Sequence, residues 1–358
     1  MNPQLEWDWG TGYDLFVSLH VLHNADTFGL RSSWAAGVRS RLAPEHRKSL
    51  EEAQDVASLP LSWIYSLPQP KDAAALLAAL GRIPPQERLI TLARGAKTPR
   101  AAIDVFLTTA QKGRWTAQDV DQLREAFRES DRAPRKDTLE SMLETWSQPG
   151  LFGERYYQAL QAYHQAFFNE EEERIRPSLE QAVRRAQNSA ERLPFDELIE
   201  KLSRGLRFGM DLEIKRLTFI PSYWITPLIV YREHSDTQGL FLFGGRPETD
   251  SLVPGDKVPE TMLRSLKALA DPTRLRILRY LDQKTMAPSE LADRLRLRAS
   301  TVTYHLKMLR LAGLVYLTLE EGNRKRYATR EEALARTFDS LQNFIHTKLQ
   351  DQDSTHAQ

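Results

Sequence analysis

One side of a predicted helix near residue 300 carries side chains that suit hydrogen bonding to nucleic acid. Winding this segment by about 100° per residue places Ser300, Tyr304 and Lys307 together, with Thr301 and Thr303 beside them. Hydroxyls, a phenol and an ammonium group can bond to base edges and phosphates. The same side has no carboxylate that phosphate would repel. The residue types therefore predict contact with DNA.

The opposite side of this helix is apolar and should fix the polar side outward. Val302, Leu306 and Leu309 recur at i, i+4 and i+7, which is the spacing of a buried stripe. A shorter helix is predicted from Pro288 onward, because proline suits the first turn of a helix. The residues between the two helices, 296–299, leave room only for a tight turn. The sequence thus predicts a helix-turn-helix.

A β-hairpin is predicted directly after the second helix. Residues 315–319 alternate as a strand does, and Glu321-Gly322-Asn323 is a typical turn sequence. The return strand begins with Arg324-Lys325-Arg326, which brings three cations to the tip and return strand of the hairpin. A hairpin of this size and charge is typical of the wing of a winged helix.

Four sequence blocks in the C-terminal quarter occur together in one known family. They are LKALADPTRLRILRYL, SELADRL, STVTYHLKMLRLAGLV and GNRKRY, in this order. Residues 259–349 therefore resemble the ArsR/SmtB family of winged-helix transcriptional repressors. By this resemblance, residues 298–312 form the recognition helix and residues 315–328 form the wing. The first and last helices of the module would form a dimer interface.

The resemblance also implies roles for individual residues. Ser300, Thr301, Thr303 and Tyr304 would contact bases or nearby phosphates. The remaining candidates, His305, Lys307, Arg324, Lys325 and Arg326, would mostly hold the DNA backbone. One departure is Arg298 at the usual position of the helix cap, so that capping is expected to shift to Ser300.

Family members that sense metals use ligands that this chain lacks. They carry a Cys-x-Cys motif in the first helix of the helix-turn-helix, or Asp, His and Glu ligands on the last helix. The chain has no cysteine, and its last helix offers only Asp339 and His346, seven residues apart. We therefore expect no metal site and no cofactor.

The distribution of charge favours a nucleic-acid partner over a purely protein-binding winged helix. Between Pro259 and Arg330 there are 15 Lys and Arg residues against 7 Asp and Glu residues, a net charge of +8. The whole chain is only +1, which leaves −7 for the remainder. A basic module on an acidic body is typical of a DNA-binding protein that must not bind all anions.

The remaining sequence predicts a mainly α (α+β) fold. A helical N-terminal domain is expected at 1–208, with a small β segment at 209–250 whose strands lie near 217–220, 223–231 and 239–243. A linker at 251–258 leads to the winged helix at 259–350, and a disordered tail is expected at 351–358. Pro177 should kink or divide a long helix that extends from about residue 153 to 188.

Three features of the N-terminal region could be given a chemical role, but each has a simpler interpretation. His20 and His23, with Asp26 nearby, could hold a metal, although satisfied histidines are the expected outcome. The run Glu170 to Glu173 could supply an acid pair, but a solvated helix face is expected. Gly244-Gly245 lacks a phosphate-loop pattern and predicts a turn. We find no catalytic motif and expect no enzyme.

These observations predict a homodimeric, cytoplasmic repressor that binds a pseudo-palindromic site in double-stranded DNA. The first residues lack the basic start and apolar run of a signal peptide, so none is expected, and no apolar stretch is long enough to span a membrane. The N-terminal domain would sense a small-molecule effector or stabilise the dimer. The alternative hypothesis is a ligand sensor or protein-interaction module in which the winged helix is secondary, and an enzyme is the third hypothesis.

Overall fold

The computed structural model describes residues 2–28, 30, 32–57, 59–93, 98–128, 134–209, 214–247, 250 and 258–346. Its contacts divide the chain into two compact units. The first unit is Met1–Leu193 with Leu212–Pro247, and the second is Pro194–Asp211 with Glu248–Gln358. The expected linker, apart from residue 258, and the expected tail lie outside the described residues.

The described chain is mainly helical with two small sheets, which confirms the predicted α+β class. The helices α1 to α17 are Thr11–His23, Ser32–Ser40, Pro44–Ala57, Leu61–Ser66, Ala73–Arg82, Pro85–Ala93, Arg100–Lys112, Ala117–Ala126, Lys136–Ser147, Pro149–Tyr163, Asn169–Ala190, Phe195–Ser203, Glu260–Leu269, Pro272–Gln283, Pro288–Leu295, Ala299–Leu311 and Glu331–His346. The strands β1 to β7 are Gln4–Trp7, Leu206–Phe208, Arg216–Ser222, Val230–Ser235, Gln238–Gly244, Val315–Glu320 and Arg324–Thr329.

Helix α1 lies at the centre of the first unit. It is apolar on nearly all sides, and every residue from Thr11 to Leu19 is buried. A helix without a polar face must be covered all round, and α1 packs against α3, α5, α11 and β3. Its two histidines have ordinary partners, since His23 Nδ1 lies 2.8 Å from the Leu19 carbonyl oxygen and Asn24 Nδ2 lies 3.5 Å from His20 Nδ1.

The sheet of the first unit has the order β1-β3-β5-β4. Strand β3 is parallel to both β1 and β5, and β4 is antiparallel to β5. Strands β3 and β5 are buried along nearly their whole length, which explains why their sequences are continuous apolar runs instead of alternating ones. The strand predicted at 223–231 is wrong for residues 223–229, which form a turn and loop, and β1 was not predicted.

Two predictions about the long helical segment are wrong in part. Pro177 does not divide it, because α11 continues through the proline, and the irregularity is a π-helical turn at His164–Phe168. Glu171 and Glu172 are not solvated, since their exposed fractions are 8% and 7%. Glu171 pairs with Arg174, and Glu172 accepts hydrogen bonds from the Thr11 hydroxyl and the Ala73 amide. These partners make burial of the carboxylates tolerable.

The second unit is a winged helix with an addition from earlier in the chain. Helices α13 to α16, the hairpin β6–β7 and α17 surround a core that includes Ile277, Leu291, Val302 and Leu306. The sequence prediction placed residues 194–208 in the N-terminal domain. In the structure α12 and β2 belong to this second unit, because β2 pairs in parallel with β6 to complete the sheet β2-β6-β7.

Candidate nucleic-acid interface

Helix α16 presents the predicted polar side to solvent. Val302, Leu306 and Leu309 have no exposed surface, so burial of the apolar stripe fixes the rotation of the helix. Tyr304 is 56% exposed on the other side. Of the other candidates on α16, the exposed ones are Ser300, Thr303 and Lys307, and Thr301 is half-buried. The structure therefore brings five of the nine candidates onto one accessible helix face.

The start of α16 differs from the expectation. Arg298 occupies the cap position, and no side chain caps the helix there. The expected shift of the cap to Ser300 is therefore wrong, because Ser300 already lies inside the first turn.

His305 is placed differently from its neighbours on α16. Its side chain is only 12% exposed, and its Nδ1 lies 3.8 Å from Asp271 Oδ1. Asp271 caps helix α14 by accepting a hydrogen bond from the Arg274 amide (2.9 Å), and this bond is the main reason that the pKa of Asp271 lies below its usual value. His305 therefore lies beside the start of α14 and not on the solvent-exposed side of α16.

The three wing cations divide into two kinds. Arg324 and Lys325 are exposed near the tip of the hairpin. Arg326 is partly buried and donates to the Thr285 carbonyl oxygen (2.9 Å) and to Glu290 Oε2 (3.4 Å). Together with the bridge between Met286 and Tyr327, these contacts fix the return strand β7 to the segment that leads into α15.

Three further arginines lie where α15 turns into α16, and the sequence reasoning did not select them. Arg294, Arg296 and Arg298 are all exposed. Arg296 adopts a left-handed conformation (φ 56°) that ends α15. The alternating R-x-R-x-R pattern of residues 294–298 could have identified them as candidates, because cations beside a helix that enters a DNA groove can bind phosphates.

Two arginines, the half-buried Arg310 and the buried Arg330, attach residues 203–204 to the winged helix. Arg310 donates to the carbonyl oxygens of Ser203 (2.7 Å) and Arg204 (2.6 Å). Arg330 donates to the carbonyl oxygens of Arg204 (2.9 Å) and Gly313 (3.0 Å). Burial lowers the pKa of Arg310 to about 10, which still leaves it charged at neutral pH.

Gly205 shows how closely this added segment approaches the module. Its φ is +101°, and a Cβ at this position would lie 2.9 Å from Arg330 Cδ. Only glycine combines that conformation with that approach. Beyond it, the Arg207 guanidinium lies 3.6 Å from the centre of the Tyr316 ring on β6. The edge of β6 is therefore covered by β2.

Helix α17 leaves an apolar stripe exposed on the second unit. Phe338, Phe344 and Ile345 are 57%, 40% and 67% exposed.

Among the residues that the structure describes, no three His, Cys, Asp or Glu side chains lie close enough together to hold a metal ion. No described helix is both long and apolar enough to cross a membrane.

The N-terminal sequence identifies the family. Residues 13–219, more than half of the chain, match the family of unknown function DUF5937. The chain belongs to DUF5937. In this DUF5937 chain a second family model, described as a helix-turn-helix domain, matches residues 269–317.

The C-terminal module is also similar to curated proteins. The HTH-type transcriptional regulators CmtR of Mycobacterium bovis and of two strains of Mycobacterium tuberculosis are each 47% identical over 75 residues. The match covers 21% of the DUF5937 chain and 63% of each relative. The structure and both matches confirm an ArsR/SmtB-type winged helix that follows, along the sequence, an N-terminal domain of unknown function.

Proposed function

We propose that the protein is a cytoplasmic transcriptional regulator that binds double-stranded DNA through its winged helix and represses as a homodimer. The observation that carries the proposal is the exposed side of α16, which holds hydroxyl groups, Tyr304 and Lys307. The cations of the wing and of the turn before α16 belong to the same module. The helix-turn-helix match and the similarity to CmtR support it. The N-terminal domain would have a regulatory role and no catalytic one.

The candidate residues separate into two roles under this proposal. Ser300, Thr301, Thr303 and Tyr304 would contact base edges or nearby phosphates in the major groove. The cations and His305 would bind phosphates, which fixes position without reading sequence. These proposed phosphate contacts are His305, Lys307, Arg324, Lys325 and Arg326, to which we add Arg294, Arg296 and Arg298.

The proposed dimer would use the last helix. The exposed Phe338, Phe344 and Ile345 form an apolar stripe on α17, and α17 packs on α13 within the same unit. Covering these side chains with a second copy would remove apolar surface from water. Two recognition helices related by a two-fold axis would then enter successive major grooves, about 34 Å apart, on a pseudo-palindromic site.

Fluorescence anisotropy with DNA from upstream of the protein's own gene tests the proposal. The full chain is titrated at several salt concentrations against that duplex and a scrambled duplex of the same composition. We expect at least about a hundredfold preference for the upstream duplex and a steep loss of affinity with salt. Absence of binding to either duplex at low salt would overturn the DNA proposal and favour the protein-interaction alternative.

A further inference from the structure

A cleft in the first unit lies between the end of α1, helix α2 and the first half of α3. Its volume is about 320 Å³, which is at the lower end of the range for small-molecule sites, about 300–1,000 Å³. The inner wall is formed by Leu22, Leu42 and Leu50, which are all at most 5% exposed. This wall can accept an apolar group of a small molecule.

The charged residues that line the cleft are mostly cationic. Arg39, Arg47 and Lys48 contribute three positive charges, and Glu51 contributes one negative charge. The first unit as a whole is nearly neutral, because it contains 28 Lys and Arg residues against 29 Asp and Glu residues, a net charge of −1. A local excess of positive charge in a nearly neutral unit would favour an anion at this position.

The cations differ in how much of their hydrogen-bonding capacity the protein uses. Arg39 Nη2 donates to the Leu22 carbonyl oxygen at 3.0 Å, which holds the guanidinium against the end of α1. Lys48 has a long contact of 3.8 Å with Glu52, and its side chain is 73% exposed. Arg47 is exposed, and within the described part of the chain its side chain has no hydrogen bond or ion pair. Arg47 can therefore bind a carboxylate without losing a protein partner.

His23 adds a hydrogen-bonding group to the same cleft. Its Nδ1 lies 2.8 Å from the Leu19 carbonyl oxygen, which requires Nδ1 to carry the proton. Burial, together with the charge of Arg39, lowers the pKa of His23 below 6.5, so the ring is neutral at pH 7. A neutral ring with its proton on Nδ1 leaves Nε2 as an acceptor.

We propose that this cleft binds a small organic carboxylate with an apolar body, with the carboxylate on Arg47 and Arg39 and the body against Leu22, Leu42 and Leu50. The binding itself does not depend on DNA recognition. Its role as the effector site of a repressor rests on the function proposed above.

Isothermal titration calorimetry of the full chain with octanoate tests the site. Octan-1-ol and octylammonium are the matched probes, because they keep the apolar chain and replace the carboxylate by a neutral or a cationic group. We expect saturable octanoate binding with a Kd of about 1 mM or tighter, and at least about tenfold weaker binding of both other probes. Equal binding of octan-1-ol, or no saturable octanoate binding, would overturn the proposal.

The variant Arg47→Glu locates the site, and Arg114→Glu is its control. Both arginines are exposed side chains of the first unit, and Arg114 does not line the cleft. We expect Arg47→Glu to weaken octanoate binding at least about tenfold and Arg114→Glu to leave it unchanged. Circular dichroism checks that both variants are folded. Octanoate binding that is unchanged in Arg47→Glu would place the ligand elsewhere and overturn the assignment.

Adding octanoate to the anisotropy experiment separates this inference from the proposed function. Octanoate binding by calorimetry together with no DNA binding would leave the carboxylate site intact and overturn only the DNA proposal. DNA binding that saturating octanoate does not change would overturn the effector role of the cleft.

Discussion

The two units use charged side chains in opposite ways. The first unit buries several of them, and Asp14, Lys71 and Glu172 are all less than a tenth exposed. The second unit keeps cations such as Arg296 and Lys325 in solvent. A buried charge is costly unless it is paired, whereas an exposed charge contributes little to stability. The buried charges of the first unit therefore maintain its fold, and the exposed cations of the second unit are available to a partner.

Arg310 and Arg330 are the instructive exceptions in the second unit. Both use guanidinium groups to hold main-chain carbonyl oxygens of residues 203–204. These two arginines stabilise the fold, as the buried charged side chains of the first unit do. Counting basic residues in the winged helix therefore overstates the charge that can contact DNA.

The largest expected effect is on the stability of the first unit. Glu172 accepts hydrogen bonds from the Thr11 hydroxyl and the Ala73 amide (3.0 Å), and it lies 3.5 Å from Arg176. We expect Glu172→Ala to reduce the free energy of unfolding by about 3–5 kcal/mol, because buried donors lose their acceptor. Urea unfolding followed by tryptophan fluorescence measures this change, since all seven tryptophans lie in the first unit.

The neighbouring carboxylate provides the control. Glu170 belongs to the same acidic run but is exposed, and Glu170→Ala should change the free energy of unfolding by less than about 0.5 kcal/mol. Similar losses from both variants would show that burial does not distinguish the two glutamates.

The second prediction concerns the pH dependence of stability. Asp14 accepts hydrogen bonds from Ser222 Oγ (2.5 Å) and from the amides of Tyr223 (3.0 Å) and Trp224 (3.1 Å). Burial raises its pKa from 3.8 to about 6, against the lowering effect of these bonds. Because the unfolded chain loses this proton first, the stabilisation by neutral Asp14 is present below pH 3.8 and is lost as the pH rises through about 6.

The variant Asp14→Asn isolates this effect because its side chain does not titrate. Between about pH 4 and pH 7, we expect the stability of the native protein to fall relative to that of the variant by about 2 kcal/mol. Urea unfolding at several pH values gives both curves. Parallel curves over this range would mean that Asp14 is ionised throughout in the folded protein.

The sequence predicted the winged helix because its elements are set by local patterns. The stripe of Val302, Leu306 and Leu309 and the turn at 321–323 are all contained in 22 residues. The burial of Glu172 could not be predicted in this way, because its partner Thr11 is 161 residues away. Strand β1 is only four residues long and pairs with β3 more than 200 positions later.

Strand β2 shows the same limit within the second unit. Leu206–Phe208 is too short to show an alternating pattern, and its partner β6 lies about 110 residues later in the chain. The helix face at 300–307 was predictable because rotation along one helix is a local property. Which cations remain exposed depends on tertiary contacts, and Arg326 with its bonds to Thr285 and Glu290 is an example.

The third prediction separates base contacts from phosphate contacts. Tyr304 is exposed at the middle of the polar side of α16. We expect Tyr304→Ala to cost about 1–3 kcal/mol on the specific duplex and much less on a scrambled one, because base contacts distinguish sequences. Anisotropy on both duplexes measures the difference. Equal losses on the two would assign Tyr304 to the DNA backbone.

The smallest expected effect comes from a single wing cation. Lys325 is exposed near the tip of the hairpin, so that its removal should leave the free energy of unfolding nearly unchanged. Each phosphate contact releases about 0.9 counterion on binding, and Lys325→Ala should reduce the slope of log K against log salt by about one. The loss should be similar on specific and scrambled DNA, because a phosphate contact carries no sequence information.

Arg114→Ala is the matched control for the loss of one exposed cation. Arg114 belongs to the first unit, whose charges we assign to its own fold or to the cleft. An unchanged salt slope in Arg114→Ala and a reduced slope in Lys325→Ala would separate a cation that contacts DNA from one that only changes net charge. If both variants reduce the slope equally, affinity for DNA depends on the total charge of the chain. The proposed difference between the two units in the use of their exposed cations then does not hold.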